Sequence, residues 1–242
     1  MLILLHGSWH RAREGTGHGK GSGAGRVDAT MQVEIWSDIV CPWCYLGQRQ
    51  FEQALERFPH RGEVEVTYRS FELDPSAPPG VTAPTVEVLA SRYGMGLEQA
   101  HDAQRQMEQR AAAAGLTFHM EGLRSGNTRD AHRLLHLAGA RGKQAELAER
   151  LHRGYFTDQA SVFDHSSLAG LAADVGLDRG EVLAVLDSDE YGPAVNADEE
   201  LARSFGISGV PFFVIDRRYG ISGAQPAETI LQVLERVHEE AA

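Results

Sequence analysis

Cys41-Pro42-Trp43-Cys44 holds the only two cysteines of the chain. Thiols at i and i+3 lie on the same side of a helical turn, where they can close into a small disulfide ring and reopen. The run before them, Val33-Glu34-Ile35-Trp36, is strand-like, and the run after them, Tyr45 to Phe58, is helix-like. The pair therefore sits at a strand-to-helix junction. There the unpaired N–H groups and the positive end of the helix dipole stabilise a thiolate. Half a zinc site would need two further ligands, and without another cysteine it would have to recruit histidines. Of the eleven histidines, His132 and His136 form the one obvious helical i, i+4 pair beyond residues 1–30, a spacing that also marks an ordinary helix face. A structural disulfide is the other plain alternative. The placement favours a redox dithiol, and no metal site is expected.

The elements that must position this pair belong to a chain of 242 residues, enough for one large domain or one domain carrying an insertion. A hydrophobic content of 42% supplies a full-sized core, and no apolar run reaches the length of a membrane span. A net charge of −11 with no basic stripe disfavours nucleic acid and anionic membranes as partners. Residues 1–30 read as a disordered or tag-like extension outside the fold. Leu2-Ile3-Leu4-Leu5 is too short for the apolar core of a secretion signal. The glycine-rich stretch from Gly15 to Gly25 buries too little apolar surface to offset its ordering entropy. A single dithiol and no signal lead to the expectation of a cytoplasmic protein.

A first strand is predicted over residues 32–37, followed by the loop Asp38-Ile39-Val40 that delivers Cys41. Pro42 suits a first helical turn, which needs no N–H from it. Leu46, Phe51, Leu55 and Phe58 then form one apolar stripe, ended by Pro59 and Gly62. Alternation of Val64, Val66 and Tyr68 predicts a second strand, parallel to the first through a right-handed crossover. Helical patterns follow over residues 86–93, 97–114, 127–139, 143–156, 165–175, 179–186 and 191–205. Ser166, Asp178 and Ser188 serve as start signals. Phe212–Ile215 and Tyr219–Ser222 read as a hairpin turned by Arg217 and Arg218, with a last amphipathic helix over residues 226–239. The organisation is α/β: residues 31–82 and 206–242 make one domain, and residues 83–205 are a helical subdomain inserted into it.

These residues resemble the thioredoxin superfamily in its DsbA-like branch. The resemblance rests on Cys-X-X-Cys opening the first helix, a helical insertion, and Gly209-Val210-Pro211 ahead of a hairpin. The run Ser37 to Gly47, with Asn127-Thr128, Ala131-His132-Arg133 and Ser222 to Pro226, is similar to the FrnE-type proteins. The resemblance implies a thioredoxin-like fold with a large helical insertion and thiol–disulfide oxidoreductase activity. Cys41 is then the attacking thiolate and Cys44 the resolving thiol. Pro211 is the cis-proline facing the pair, and the backbone of Val210 pairs with substrate. The resemblance requires no cofactor, with glutathione as a candidate reductant contacting Val210 and the segment Ser222 to Gln225. Expected partners are thiol- or disulfide-containing proteins or small molecules. A second dithiol, present in some FrnE-type proteins, is impossible here.

Glu34 is either a buried carboxylate beneath the dithiol, able to move the proton of Cys44, or a strand-end residue in solvent. Asp38 has a similar claim, or shapes its loop. Trp43 tunes the potential and offers a contact surface. His132 either faces the cleft as a substrate contact or packs within the helices. The competing enzyme class is the glutathione-dependent kappa-type transferase or 2-hydroxychromene-2-carboxylate isomerase, which has serine where Cys41 stands. A binding module using the cleft is the non-catalytic alternative.

Overall fold

The computed structural model describes Leu2–Leu4 and residues 30–241. The central strand β2 (Met31–Ser37) has nearly every side chain buried. It pairs in parallel with β3 (Val64–Ser70) and antiparallel with β6 (Phe212–Ile215), with Val33 opposite Val66 and Ile35 opposite Phe213. The sheet continues through β7 (Tyr219–Ser222) to β1 (Leu2–Leu4), in the order β1-β7-β6-β2-β3. Helix α1 (Pro42–Arg57) connects β2 to β3, and the two strands pair in parallel as expected of such a unit.

The first residues correct the expectation that all of residues 1–30 lie outside the fold. Leu2–Leu4 pair antiparallel with β7, Ile3 opposite Gly220. Three residues are too few to register as a periodic pattern, yet an edge strand needs partners on one side only. Ile3 also packs against a small apolar cluster built on Trp36, Ala202, Ile207, Phe212 and Val214. The glycine-rich stretch from Gly15 to Gly25 lies outside the described residues.

After β3 come β4 (Thr82–Pro84), α2 (Thr85–Tyr93), α3 (Leu97–Ala113), β5 (Arg124–Gly126), α4 (Arg129–Ala140), α5 (Gln144–Phe156), α6 (His165–Asp174), α7 (Arg179–Leu186) and α8 (Gly192–Ser204). The short β4–β5 pair, Thr82 opposite Gly126, has no periodic signal of its own. Asp178 caps α7 as expected, accepting the Glu181 N–H at 2.8 Å. For α6 the cap is Asp164, not Ser166: its carboxylate accepts the Ser167 N–H at 2.9 Å. Ser188 caps no helix and instead donates to the Val185 carbonyl.

The hairpin turn also differs by one residue from expectation. Asp216 and Arg217, at φ 49° and 54°, form its centre. Asp216 accepts the Gln32 N–H at 2.8 Å, and Arg217 folds back onto Glu34. These two anchors hold a left-handed turn that lacks glycine. Helix α9 (Ala227–Ala241) closes the fold, burying Ile230, Leu231, Val233, Leu234 and Val237. The main core runs from the sheet through α1 and α9 into α4–α7.

Candidate active site

Cys41 is the N-cap of α1, with an extended backbone at φ −90° and ψ 111°, and Pro42 takes the first turn. A side chain there faces the positive end of the helix dipole. Both cysteines are free thiols, and the Cys44 N–H donates to the Cys41 carbonyl at 3.0 Å.

The two sulfurs have different surroundings. Cys41, with Pro42, Trp43 and Val210, lines a cavity of about 780 Å³ that reaches to α2 and α3. Its thiol donates to the Val210 carbonyl at 3.8 Å. Cys44 does not line that cavity and is buried behind it, its sulfur accepting the Asp38 N–H at 3.5 Å. Burial pushes the Cys44 thiol well above the usual range, and the neighbouring Cys41 adds to the rise.

The Val210–Pro211 peptide bond is cis. Pro211 faces α1 at Gly47, where a Cβ would come within 2.8 Å of Pro211 Cγ. Only glycine lets the helix and this loop approach so closely. Trp43, 42% exposed, stands at the cavity mouth under the Arg110 guanidinium, 5.6 Å from its ring.

Behind the dithiol lies a buried polar layer. The Asp38 carboxylate accepts the Leu73 N–H at 2.8 Å and stands 3.3 Å from His132 Nε2. His152 sits between two acceptors, the Asp38 carbonyl 3.3 Å from Nε2 and Gln48 Oε1 2.9 Å from Nδ1, and its single ring N–H donates to one of them. Burial brings the His152 imidazole down to about 4, so it is neutral near pH 7. His132 is fully buried, and its Nδ1 has no partner among the described residues. An unmatched buried polar atom costs about 1–3 kcal/mol.

Of the candidate residues, Gln225 and Glu34 stand elsewhere than expected, and His132 takes the packed alternative rather than the substrate contact. His132 does not face the cleft; α4 turns it inward onto Asp38. Gln225 is absent from the cavity lining, and its amide donates to the Ser222 carbonyl at 2.8 Å. Glu34 is neither solvated nor in contact with the thiols. Arg69 Nη2 reaches it at 2.6 Å and Arg217 Nε at 2.9 Å. Burial alone would raise the Glu34 carboxyl, but hydrogen bonds from Arg217 and Arg69 outweigh it and hold the group low. A carboxylate so held is a poor proton acceptor. Gly47, Gln48 and His152 were not singled out from the sequence; only Gly47, a glycine inside an apolar-striped helix, carried a signal.

The model of the DSBA-like thioredoxin domain matches residues 32–235. The chain belongs to that family. This DsbA-like chain is 50% identical to a probable DsbA oxidoreductase from Streptomyces coelicolor, whose crystal structure superposes with a TM-score of 0.82 over 85% of this chain and 89% of that one. It also shares its fold with a 2-hydroxychromene-2-carboxylate isomerase, at 15% identity and a TM-score of 0.66, over 87% and 97% of the two chains. The cytosolic disulfide reductase DsbM from Pseudomonas aeruginosa with GSH is likewise similar, at 17% identity and a TM-score of 0.59, over 85% and 98%. No helix among the described residues is long and apolar enough to cross a membrane.

Proposed function

We propose that this DsbA-like protein is a thiol–disulfide oxidoreductase of the FrnE type, exchanging disulfides through Cys41 and Cys44. The observation that carries this is the asymmetry of the pair: both thiols are buried, but Cys41 lines the cavity at a helix N-cap, whereas Cys44 is absent from that lining and has a raised pKa. That is the division of labour between an attacking and a resolving thiol.

In the reducing direction, the Cys41 thiolate attacks one sulfur of a substrate disulfide. The substrate S–S bond breaks, a substrate thiolate leaves, and a mixed disulfide remains on Cys41. Cys44 then loses its proton and attacks Cys41 Sγ. This closes the Cys41–Cys44 disulfide, expels the second substrate thiolate and passes two electrons to the substrate. Asp38 and His132 are the proposed acceptors of the Cys44 proton, since they are the buried acid–base pair bound to the loop that hydrogen-bonds its sulfur.

Val210 offers its backbone beside Cys41, and Trp43 its exposed face, to an incoming thiol or disulfide. With two cysteines in the chain, regeneration comes from outside it. Glutathione is a fitting reductant, since Arg92 and Arg110 line the same cavity and suit its carboxylates. A reducing, cytoplasmic compartment suits this chemistry. The transferase or isomerase alternative loses ground because both thiols are intact where that class carries serine.

Insulin reduction driven by dithiothreitol tests the proposal. Wild-type protein accelerates precipitation of the insulin B chain, and Cys41→Ser does not. Equal acceleration by Cys41→Ser would refute it.

A further inference from the structure

On the side of the molecule formed by the far end of α1, the short turn Arg61–Glu63 and the last turns of α9, two histidines converge on one carboxylate. His60 Nδ1 lies 3.1 Å from Glu63 Oε1, and His238 Nδ1 lies 3.8 Å from Glu63 Oε2. The two imidazoles are stacked, with centroids 3.7 Å apart and planes 20° apart. Phe58 packs edge-on against both rings, at 5.7 and 6.0 Å, and the part-exposed rings must fan apart from their stack for both nitrogen lone pairs to meet one ion. One ligand atom from each of the three residues falls within 4.8 Å of the others.

We propose that His60, Glu63 and His238 form a binding site for a divalent d-block cation such as Zn²⁺. Two ligand atoms each about 2.0–2.1 Å from a tetrahedral zinc stand about 3.3 Å apart. The two histidines approach different oxygens of Glu63, at 3.1 Å to Oε1 and 3.8 Å to Oε2, and one ligand atom from each residue lies within 4.8 Å of the others, so the three must draw in slightly to meet a single ion. The longer approach is too wide for a hydrogen bond, so His238 and Glu63 are brought together without satisfying each other. Two imidazole nitrogens and a carboxylate suit Zn²⁺, Ni²⁺, Co²⁺ or Cu²⁺ over Mg²⁺ or Ca²⁺. All three residues are part-exposed, which leaves room for water to complete the shell. The cation would staple α9 to the end of α1, two helices already joined by the Arg57–Glu228 pair at 2.6 Å and the Ala227 N–H to Gln50 at 2.7 Å. The site owes nothing to the thiols. Its ligands are too far apart in sequence, His60 from His238, for any motif to announce them.

The test uses the full chain carrying Cys41→Ser and Cys44→Ser, because free thiolates would bind the same metals. Zinc chloride is titrated calorimetrically into this parent and into the parent with His238→Ala, Glu63→Gln or, as a control, the exposed His101→Ala. The expected result is one zinc per chain, weakened at least about tenfold by His238→Ala and by Glu63→Gln and unchanged by His101→Ala. Melting scans without metal verify that each variant folds. With zinc, the melting temperature rises in the parent and not in His238→Ala. A parent that binds no zinc would overturn the proposal. So would His238→Ala and Glu63→Gln variants that bind as the parent does, which would place the metal elsewhere, as on His6, His10 or His18.

Discussion

His132 Nε2 lies 3.3 Å from Asp38 Oδ1, with both residues buried, and the N–H of the same Asp38 donates to Cys44 Sγ at 3.5 Å. A residue of the helical subdomain thus reaches through the loop before the dithiol to the environment of the resolving thiol. His132 keeps an unmatched nitrogen there, and the proposed function gives this buried pair the Cys44 proton.

Asp38→Asn tests that role. Asparagine can still accept the Leu73 N–H but cannot take up a proton. Resolution of the mixed disulfide should slow by about 10²-fold or more, in the range of general acid–base effects. Quenched samples separated without reductant would show the mixed disulfide accumulating. Unchanged turnover would remove Asp38 from proton transfer.

Glu34→Gln should behave oppositely. It leaves Arg217 without its anion and Arg69 with Asp198 alone, at 3.0 Å, and loosens the β6–β7 hairpin, costing about 1–3 kcal/mol once the exposure of Arg217 is allowed for. Urea unfolding reads the loss. At temperatures where the variant stays folded, its exchange rate should match the wild type within about twofold. A loss as large as that of Asp38→Asn would return Glu34 to the proton path.

Gly47→Ala drives a methyl to 2.8 Å from Pro211 Cγ. Helix or loop must shift, at about 1–3 kcal/mol. Because Pro211 follows Val210, whose carbonyl contacts Cys41, activity should fall more than stability alone explains. Insulin reduction by the fully folded variant checks this; wild-type rates would show that the approach has slack.

Acid stability follows from His152. Burial holds its imidazole at about 4 in the folded protein, against about 6.5 when unfolded. Above pH 6.5 both states are neutral and nothing is lost. As pH falls from 6.5 to 4, only the unfolded state takes the proton, so stability declines through that window, by at most about 3 kcal/mol. Urea titrations between pH 4.5 and 7 should be flatter for His152→Phe, which keeps the ring stack on Tyr45. An identical slope would assign the acid sensitivity elsewhere.

Local pattern was enough to read the β2–α1–β3 unit, the helical block, the hairpin and the dithiol, because apolar spacing, Pro42 and the Gly209-Val210-Pro211 run act over short distances. What escaped it depends on partners far along the chain. Glu34 and Asp38 look alike as acidic residues near Cys41, and only Arg69 and Arg217 on one side and His132 on the other tell them apart. His132 sits on the buried face of α4, a helix whose charged and apolar residues do not reveal which side meets the Cys41 loop. Leu2–Leu4 found a place because β7 had an unpaired edge, a property of the assembled sheet.

The most direct test of the central claim is trapping with glutathione disulfide and mass measurement of Cys44→Ser and Cys41→Ser. Cys44→Ser should accumulate a one-to-one mixed disulfide mapped to Cys41, while Cys41→Ser, with Cys44 buried and its pKa raised, should remain unmodified over the same time. Equal modification of the two variants, or preferential modification of Cys44, would contradict the account.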